Sequence, residues 1–153
     1  MTDTIQTIDQ ILNKYCHTVD RGSAKEVSNL FSQEAVLKPY FDDQYEVSGR
    51  AEIERWYAHY MENFRAKIRH LKHMVVSPVI TVTNTRASSI CYFIASAVNT
   101  ETNQGFSATG TYEDQFEKSG DSWMFSERCI TVETTSPEIN VTEQFPSLEF
   151  PRK

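Results

Sequence analysis

The stretch GFSATGTYEDQFEK, residues 105–118, alternates without a break. Phe106, Ala108, Gly110, Tyr112, Asp114 and Phe116 share one parity, and Ser107, Thr109, Thr111, Glu113, Gln115 and Glu117 share the other. Successive side chains of a strand point to opposite faces, so the pattern predicts a long strand with one covered face and one wet face. Its neighbours keep the same period. Leu71 to Thr83, Arg86 to Val98 and Ser122 to Thr134 are β-branched or aromatic stretches, separated by Asn84-Thr85, Thr100 to Gln104 and Ser119-Gly120-Asp121. Four antiparallel strands in meander order are predicted, the first and last connections short enough for hairpins.

Upstream of Lys67 the period is helical. From Thr4 to Val19 the residues Ile5, Ile8, Ile11, Leu12, Tyr15, Cys16 and Val19 recur every three or four positions, with Asp3 or Thr4 as cap and Asp20-Arg21-Gly22 as stop. Gly22 is expected to take the left-handed conformation that commonly closes a helix. A second helix is predicted over Ala24 to Phe31. A third opens at Ser48-Gly49 and aligns Ile53, Trp56, Tyr57, Tyr60 and Phe64. Between them, Ala35 to Tyr40 and Tyr45 to Val47 read as short strands around the acidic turn Asp42-Asp43. Helices first and an antiparallel sheet afterwards make an α+β plan, with helices on one sheet face and a pocket in the gap. Residues 1–135 are the expected domain. Residues 136–153 carry three of the five prolines and isolated apolar residues, and read as a tail.

A length of 153 residues suits one core. Fifteen Lys and Arg against 21 Asp and Glu leave a formal charge of −6 with no basic stripe, which argues against nucleic acid as a partner. No apolar run approaches the roughly 20 residues of a membrane span, and the opening residues are polar where a signal peptide would be apolar. A soluble, cytoplasmic protein is expected. Cys16, Cys91 and Cys129 are odd in number and far apart, so they read as buried thiols of a reducing compartment, with neither a disulfide framework nor a zinc site. No H-E-x-x-H, P-loop or G-x-G-x-x-G pattern occurs, so no metal or organic cofactor is expected. An aromatic share of 12 % suits a pocket wall as well as a core.

Four local patterns resemble, in order and spacing, the SnoaL-like branch of the nuclear transport factor 2-like superfamily. They are Tyr15-Cys16-His17-Thr18-Val19-Asp20 with Leu30-Phe31 after it; Val47-Ser48-Gly49-Arg50; His73 five residues before Pro78-Val79-Ile80; and Gly110-Thr111-Tyr112-Glu113-Asp114 followed by Trp123-Met124-Phe125 and Arg128. Together they span most of residues 5–132. The resemblance implies a cone-shaped fold in which three N-terminal helices pack on a strongly curved antiparallel sheet enclosing a pocket. It also implies a homodimer formed through the outer sheet face. The superfamily includes polyketide cyclases, scytalone dehydratase, ketosteroid isomerase and hexachlorocyclohexane dehydrochlorinase, and also non-enzymes, so the fold alone does not fix the chemistry. In its dehydratase and dehydrochlorinase members, an Asp at the end of the first helix hydrogen-bonds a His on the first long strand, and that His takes a proton from the substrate. Residue by residue, this carries over onto Asp20 and His73. The second His of scytalone dehydratase would fall near Thr109, and no His lies between His73 and the C-terminus. Asp114 is a loose echo of the carboxylic acids of ketosteroid isomerase.

The same residues can be weighed physically. A carboxylate in the last turn of a helix meets the negative end of the macrodipole, at a cost of roughly 0.3–1 kcal/mol, so something must hold Asp20 there. Arg21, His17 and His73 are the partners open to it. His70 and His73 differ in parity, so a regular strand through both turns only one of them inward. Where Asp20 and His73 meet, the carboxylate fixes the imidazole tautomer and stabilises the imidazolium formed on proton uptake. Tyr15 is the candidate donor to a substrate oxygen. Trp56, Tyr57, Tyr60, Tyr92, Phe106 and Tyr112 are candidate substrate-binding aromatics, and Arg128 either balances charge in the cavity or sits on the outer sheet face. The expectation is a cofactor-free lyase or isomerase, dehydratase- or cyclase-like, acting on a small, largely apolar oxygenated molecule. The alternative, supported by the missing second imidazole, is a non-catalytic ligand-binding or accessory scaffold protein of the same fold.

Overall fold

A computed structural model describes residues 3–40 and 45–138. The helices are α1 (Thr4–Arg21), α2 (Ala24–Ser28) and α3 (Arg50–Asn63), and the strands are β1 (Phe31–Tyr40), β2 (Val47–Ser48), β3 (Ile68–Thr83), β4 (Arg86–Asn99), β5 (Gly105–Ser119) and β6 (Ser122–Ser136). A single 3-10 turn, Arg65–Lys67, joins α3 to β3. All six strands form one curved, open sheet in the order β2-β1-β6-β5-β4-β3. The meander β3 to β6 is antiparallel, as its alternation predicts. β1 departs from it by joining β6 in parallel, with β2 antiparallel at the far edge. The three helices cover the inner face, giving the cone-shaped α+β fold.

The stripe of α1 buries Ile8, Leu12, Tyr15, Cys16 and Val19, and Asp3 caps the helix by accepting from the Ile5 amide. Gly22 closes α1 but in an extended conformation, φ −91°, rather than the left-handed one. Its glycine character has another cause, since a Cβ there would stand 2.9 Å from the Thr18 carbonyl oxygen. The second helix is shorter than its apolar spacing predicts. A capping box between Ser23 and Glu26 starts it, and the chain then turns at Leu30, whose carbonyl accepts from the Phe125 amide. Phe31 enters β1 and packs its ring 5.0 Å from that of Phe125. Tertiary packing of one aromatic pair outweighs the local periodicity here. The Asp42-Asp43 turn and the tail beyond residue 138 lie outside the described residues.

β3 is not a regular strand. Ile68 points inward, then Leu71, His73 and Val75, then Ile80 and Val82, so the inward parity changes twice. The ladder to β4 shifts register between Arg69 and Lys72 and again between Val76 and Val79. His70 (φ 58°) and Ser77 (φ 55°) stand in the left-handed region at those two places. A β-bulge inserts one unpaired residue and re-aims the side chains beyond it. Continued from Ile68, a regular strand would have turned Lys72 and Met74 inward; the bulge at His70 turns His73 inward instead and leaves His70 exposed.

On β5 the inward series ends in a covered Tyr112, Asp114 and Phe116. Gly110 belongs to it because a Cβ there would lie 1.9 Å from the Thr131 carbonyl oxygen and 2.6 Å from the Phe93 ring. Cys16 and Cys91 are buried as expected, while Cys129, of opposite parity to the inward Arg128 and Ile130, is only half-buried.

Candidate functional site

Asp20 sits in the last turn of α1, and His73 faces it from β3. The ring Nδ1 of His73 lies 2.6 Å from Asp20 Oδ1, and the backbone N–H of His73 donates to Asp20 Oδ2 at 2.9 Å. A carboxylate only accepts, so this geometry places a proton on Nδ1, and in the neutral ring that leaves Nε2 with its lone pair. The two side chains are 10 % and 11 % exposed. His17 stays on the exposed side of α1, as does Arg21. The cation at this helix end is Arg65 of the 3-10 turn. Its Nη1 donates to the carbonyls of Val19 at 3.1 Å and Gly22 at 2.7 Å, on either side of Asp20 in the chain.

A second polar group stands deeper. The hydroxyls of Tyr15 and Tyr57 are 2.5 Å apart, and both residues are buried. Burial pushes the Tyr15 phenol above its ordinary pKa, with the Arg128 charge and the Tyr57 hydrogen bond pulling back. Burial, followed by Tyr15 itself, raises Tyr57 well above its ordinary value. Both hydroxyls therefore keep their protons at neutral pH, so one donates to the other and one proton of the pair is left to give.

Arg128 resolves neither to the cavity surface nor to the outer face. It is fully buried, with Nε and Nη2 each 2.7 Å from a different oxygen of Asp114. Ser89 donates to the same carboxylate at 3.2 Å. The guanidinium lies 4.1 Å from the Tyr15 ring centroid and 4.0 Å from that of Tyr112. Burial disfavours its charge, but Asp114, followed by the two tyrosines, holds its pKa well above the usual value. Burial also raises Asp114, against the pull of Arg128 and Ser89. Asp114 is thus committed to Arg128, and the echo of a carboxylic acid working in the cavity is corrected. Arg128 is not among the residues that line the cavity, and both tyrosine rings lie against its guanidinium.

Between the helices and the sheet lies a cavity of about 80 Å³. One water needs roughly 10–15 Å³ on this measure, so the space is several times that of a single water. Tyr15, Trp56, Tyr57, Tyr60, Phe106 and Tyr112 all line it, as does His73. Trp56 and Tyr60 stack with rings 5.5 Å apart, and the indole N–H of Trp56 is 2.8 Å from the Tyr45 hydroxyl. Tyr92 does not belong. It is 58 % exposed on the outer face, because its strand turns Cys91 and Phe93 inward and so turns Tyr92 out. β5 offers Phe106 and Ala108 to the cavity, whereas the Thr109 hydroxyl bonds that of Thr134. His73 also lines a groove between α1 and β3, together with Asn13, His17, Asp20 and Arg21. Among the described residues no three His, Cys, Asp or Glu side chains converge as a metal site requires. Among the described residues no helix is long and apolar enough to cross a membrane.

Sequence reasoning missed Arg65 and the pairing of Asp114 with Arg128. The second was open to inspection, since Asp114 and Arg128 both sit on inward series of adjacent strands; the first had no local trace.

Residues 2–129 match the family described as SnoaL-like domain. No curated protein matches the chain in sequence. Among solved structures, a candidate scytalone dehydratase from Novosphingobium aromaticivorans superposes with a TM-score of 0.74 at 19 % identity, over 86 % of this chain and 85 % of that one. A candidate aromatic ring hydroxylase from the same organism gives 0.69 at 19 %, over 86 % and 92 %. The Kfla4162 protein from Kribbella flavida gives 0.75 at 11 %, over 86 % and 91 %. At such identities these likenesses show the fold alone.

Proposed function

We propose that this chain, which belongs to the SnoaL-like domain family over residues 2–129, is a cofactor-free lyase or isomerase for a small, largely apolar oxygenated substrate. The observation that carries the reading is the double grip of Asp20 on the ring and backbone of His73, at the edge of an aromatic cavity. His73 Nε2 takes a proton from carbon next to a substrate carbonyl, and Asp20 stabilises the imidazolium. The electron pair moves to the carbonyl oxygen, where the Tyr15 hydroxyl, backed by Tyr57, donates to the enolate. The imidazolium then returns its proton, either to a departing β-hydroxyl, which leaves as water, or to a different carbon, which moves the double bond.

The uncharged aromatic lining favours neutral substrates, because an unpaired carboxylate or phosphate would be buried without a cation. The test is a panel of cyclic β-hydroxyketones and β,γ-unsaturated ketones, assayed with the native protein and with His73→Gln. Turnover of one panel compound that falls about 10²–10⁴-fold in the variant supports the reading. Turnover equal in both sinks it.

The missing second imidazole favours a second reading. Ala108 stands on the cavity wall of β5, so a mechanism needing two histidines has no second one, and a ligand-binding protein would have the same cavity. Binding of panel compounds without turnover decides for it. A homodimer belongs to either reading: Met74, Val76, Val79, Ile90, Tyr92 and Ile94 form an exposed apolar patch on the outer face of β3 and β4, of the kind that pairs copies of a chain.

A further inference from the structure

The Asp20–His73 pair joins two elements, a helix end and a strand, that no backbone ladder connects to each other. Something must fix their separation. The 3-10 turn is built to do so. Its first residue, Arg65, holds the carbonyls of Val19 and Gly22, which flank Asp20. Its last residue, Lys67, gives its carbonyl to the Thr100 amide at 3.1 Å and the Thr100 hydroxyl at 2.8 Å. β3 begins at the next residue, Ile68, and reaches His73 five residues later. The turn is therefore pinned to the end of α1 on one side and to the β4–β5 connection on the other.

Electrostatics point the same way. The final carbonyls of α1 concentrate negative charge where Asp20 adds more, and a cation among them offsets both. Arg21 is adjacent in sequence but exposed, whereas Arg65 is half-buried and bonded to those carbonyls. The buried Tyr60 hydroxyl feels both charges with opposite sign: after burial and Tyr15, Asp20 raises its pKa and Arg65 lowers it.

We infer that Arg65 is a positioning residue for the Asp20–His73 pair, holding the end of α1 against the start of β3 and supplying the positive charge that lets a carboxylate stand there. The inference rests on the proposed acid–base reading for its use, but its geometry can be tested without turnover.

The experiment compares the full chain with Arg65→Met, Arg65→Gln and Arg65→Lys. Three quantities are read: thermal stability, the downfield Nδ1–H proton resonance of His73, assigned with His73→Gln, and kcat and KM on the panel compound that turns over. In Arg65→Met the resonance is expected to shift and exchange faster with solvent, and kcat to fall about tenfold with KM within about twofold. Arg65→Lys, which keeps the charge, should recover most of both effects. Arg65→Gln keeps a donor without the charge, and should behave as Arg65→Met even where the methionine variant folds poorly. A folded Arg65→Gln or Arg65→Met with an unchanged His73 resonance overturns the inference and leaves Arg65 a helix cap. If the resonance moves while His73→Gln leaves turnover intact, the positioning role stands and the catalytic reading fails.

Discussion

Replacing Asp20 by Asn keeps the side chain's shape and removes its charge, and the consequence can be worked from two distances. Asp20 offers two acceptors, one to the His73 backbone N–H at 2.9 Å and one to Nδ1 at 2.6 Å. Asn offers one acceptor and one NH2 group. The backbone N–H can only donate, so the amide oxygen must face it and the NH2 group must face Nδ1. Nδ1 then has to present its lone pair, and the ring proton moves to Nε2, the atom that must be bare to accept a proton from substrate. The corresponding exchange in the serine-protease triad costs about 10⁴ in kcat through the same wrong tautomer. Here kcat is expected to fall about 10³–10⁴-fold, roughly 4–5.5 kcal/mol of barrier, with KM within about threefold. Folding stability should fall by about 1–3 kcal/mol, as two charge-assisted bonds become one neutral bond and a reversed one. Steady-state kinetics measure the first effect, and nitrogen–proton correlation of the His73 ring reads the tautomer directly, with no substrate present. An Asn variant that keeps a tenth of its activity, or whose His73 still carries its proton on Nδ1, refutes the reasoning.

Other perturbations test the surrounding structure. Arg128→Met strands the Asp114 carboxylate and should cost about 3–5 kcal/mol near neutral pH, most of it recovered by adding Asp114→Leu, as chemical denaturation will show. Because burial raises Asp114 above its ordinary 3.8, stability in the single variant is full below that value and is lost as pH rises through the higher folded value, so its denaturation midpoint should fall from acid to neutral pH. Gly110→Ala drives a methyl into the Thr131 carbonyl and the Phe93 ring; the cost should reach or exceed the usual ~1–3 kcal/mol of overpacking, and displacement of Phe93 should weaken ligand binding measured by tryptophan fluorescence. Tyr57→Phe removes one hydroxyl from a buried pair and should cost about 0.5–1.5 kcal/mol of stability, with kcat reduced more than KM; an unchanged kcat would remove the Tyr57 hydroxyl from the mechanism. Tyr92→Lys should leave fold and turnover intact and convert a dimer to a monomer in sedimentation; an unchanged mass removes the outer face from the assembly.

The parts of the fold that were legible are those where one face meets the core and the other meets water. β5 shows this best: each of its inward residues was readable from alternation alone, Asp114 included, since parity places a side chain whatever its chemistry. The second helix was misread because Val27, Leu30 and Phe31 have helical spacing, yet Phe31 gains more by packing on Phe125 from a strand. Tyr92 was misassigned for a related reason. An aromatic side chain suggests a pocket, but its parity, opposite to Cys91 and Phe93, already placed it outside. The separation of His73 from His70 followed from parity, whereas the bulge that turns His73 inward did not, because neither His70 nor Ser77 is a residue whose type demands a left-handed backbone.

What remained hidden in the site is long-range by nature. Arg65 meets α1 across more than forty positions of sequence through two backbone carbonyls, and carbonyls leave no mark in a residue pattern. Tyr15 shows why core and site are inseparable here. Its ring packs edge-on against Tyr57, Tyr112 and Phe125, its face receives the Arg128 guanidinium, and its hydroxyl meets Tyr57 at the cavity wall. In the proposed reaction, a donor fixed on so many sides would lose little freedom when a substrate oxygen arrives, so the hydrogen bond would cost little reorganisation at the moment charge develops. The aromatic excess in the composition therefore has one cause rather than two: the side chains that make the cone's core are the ones that aim its few polar atoms.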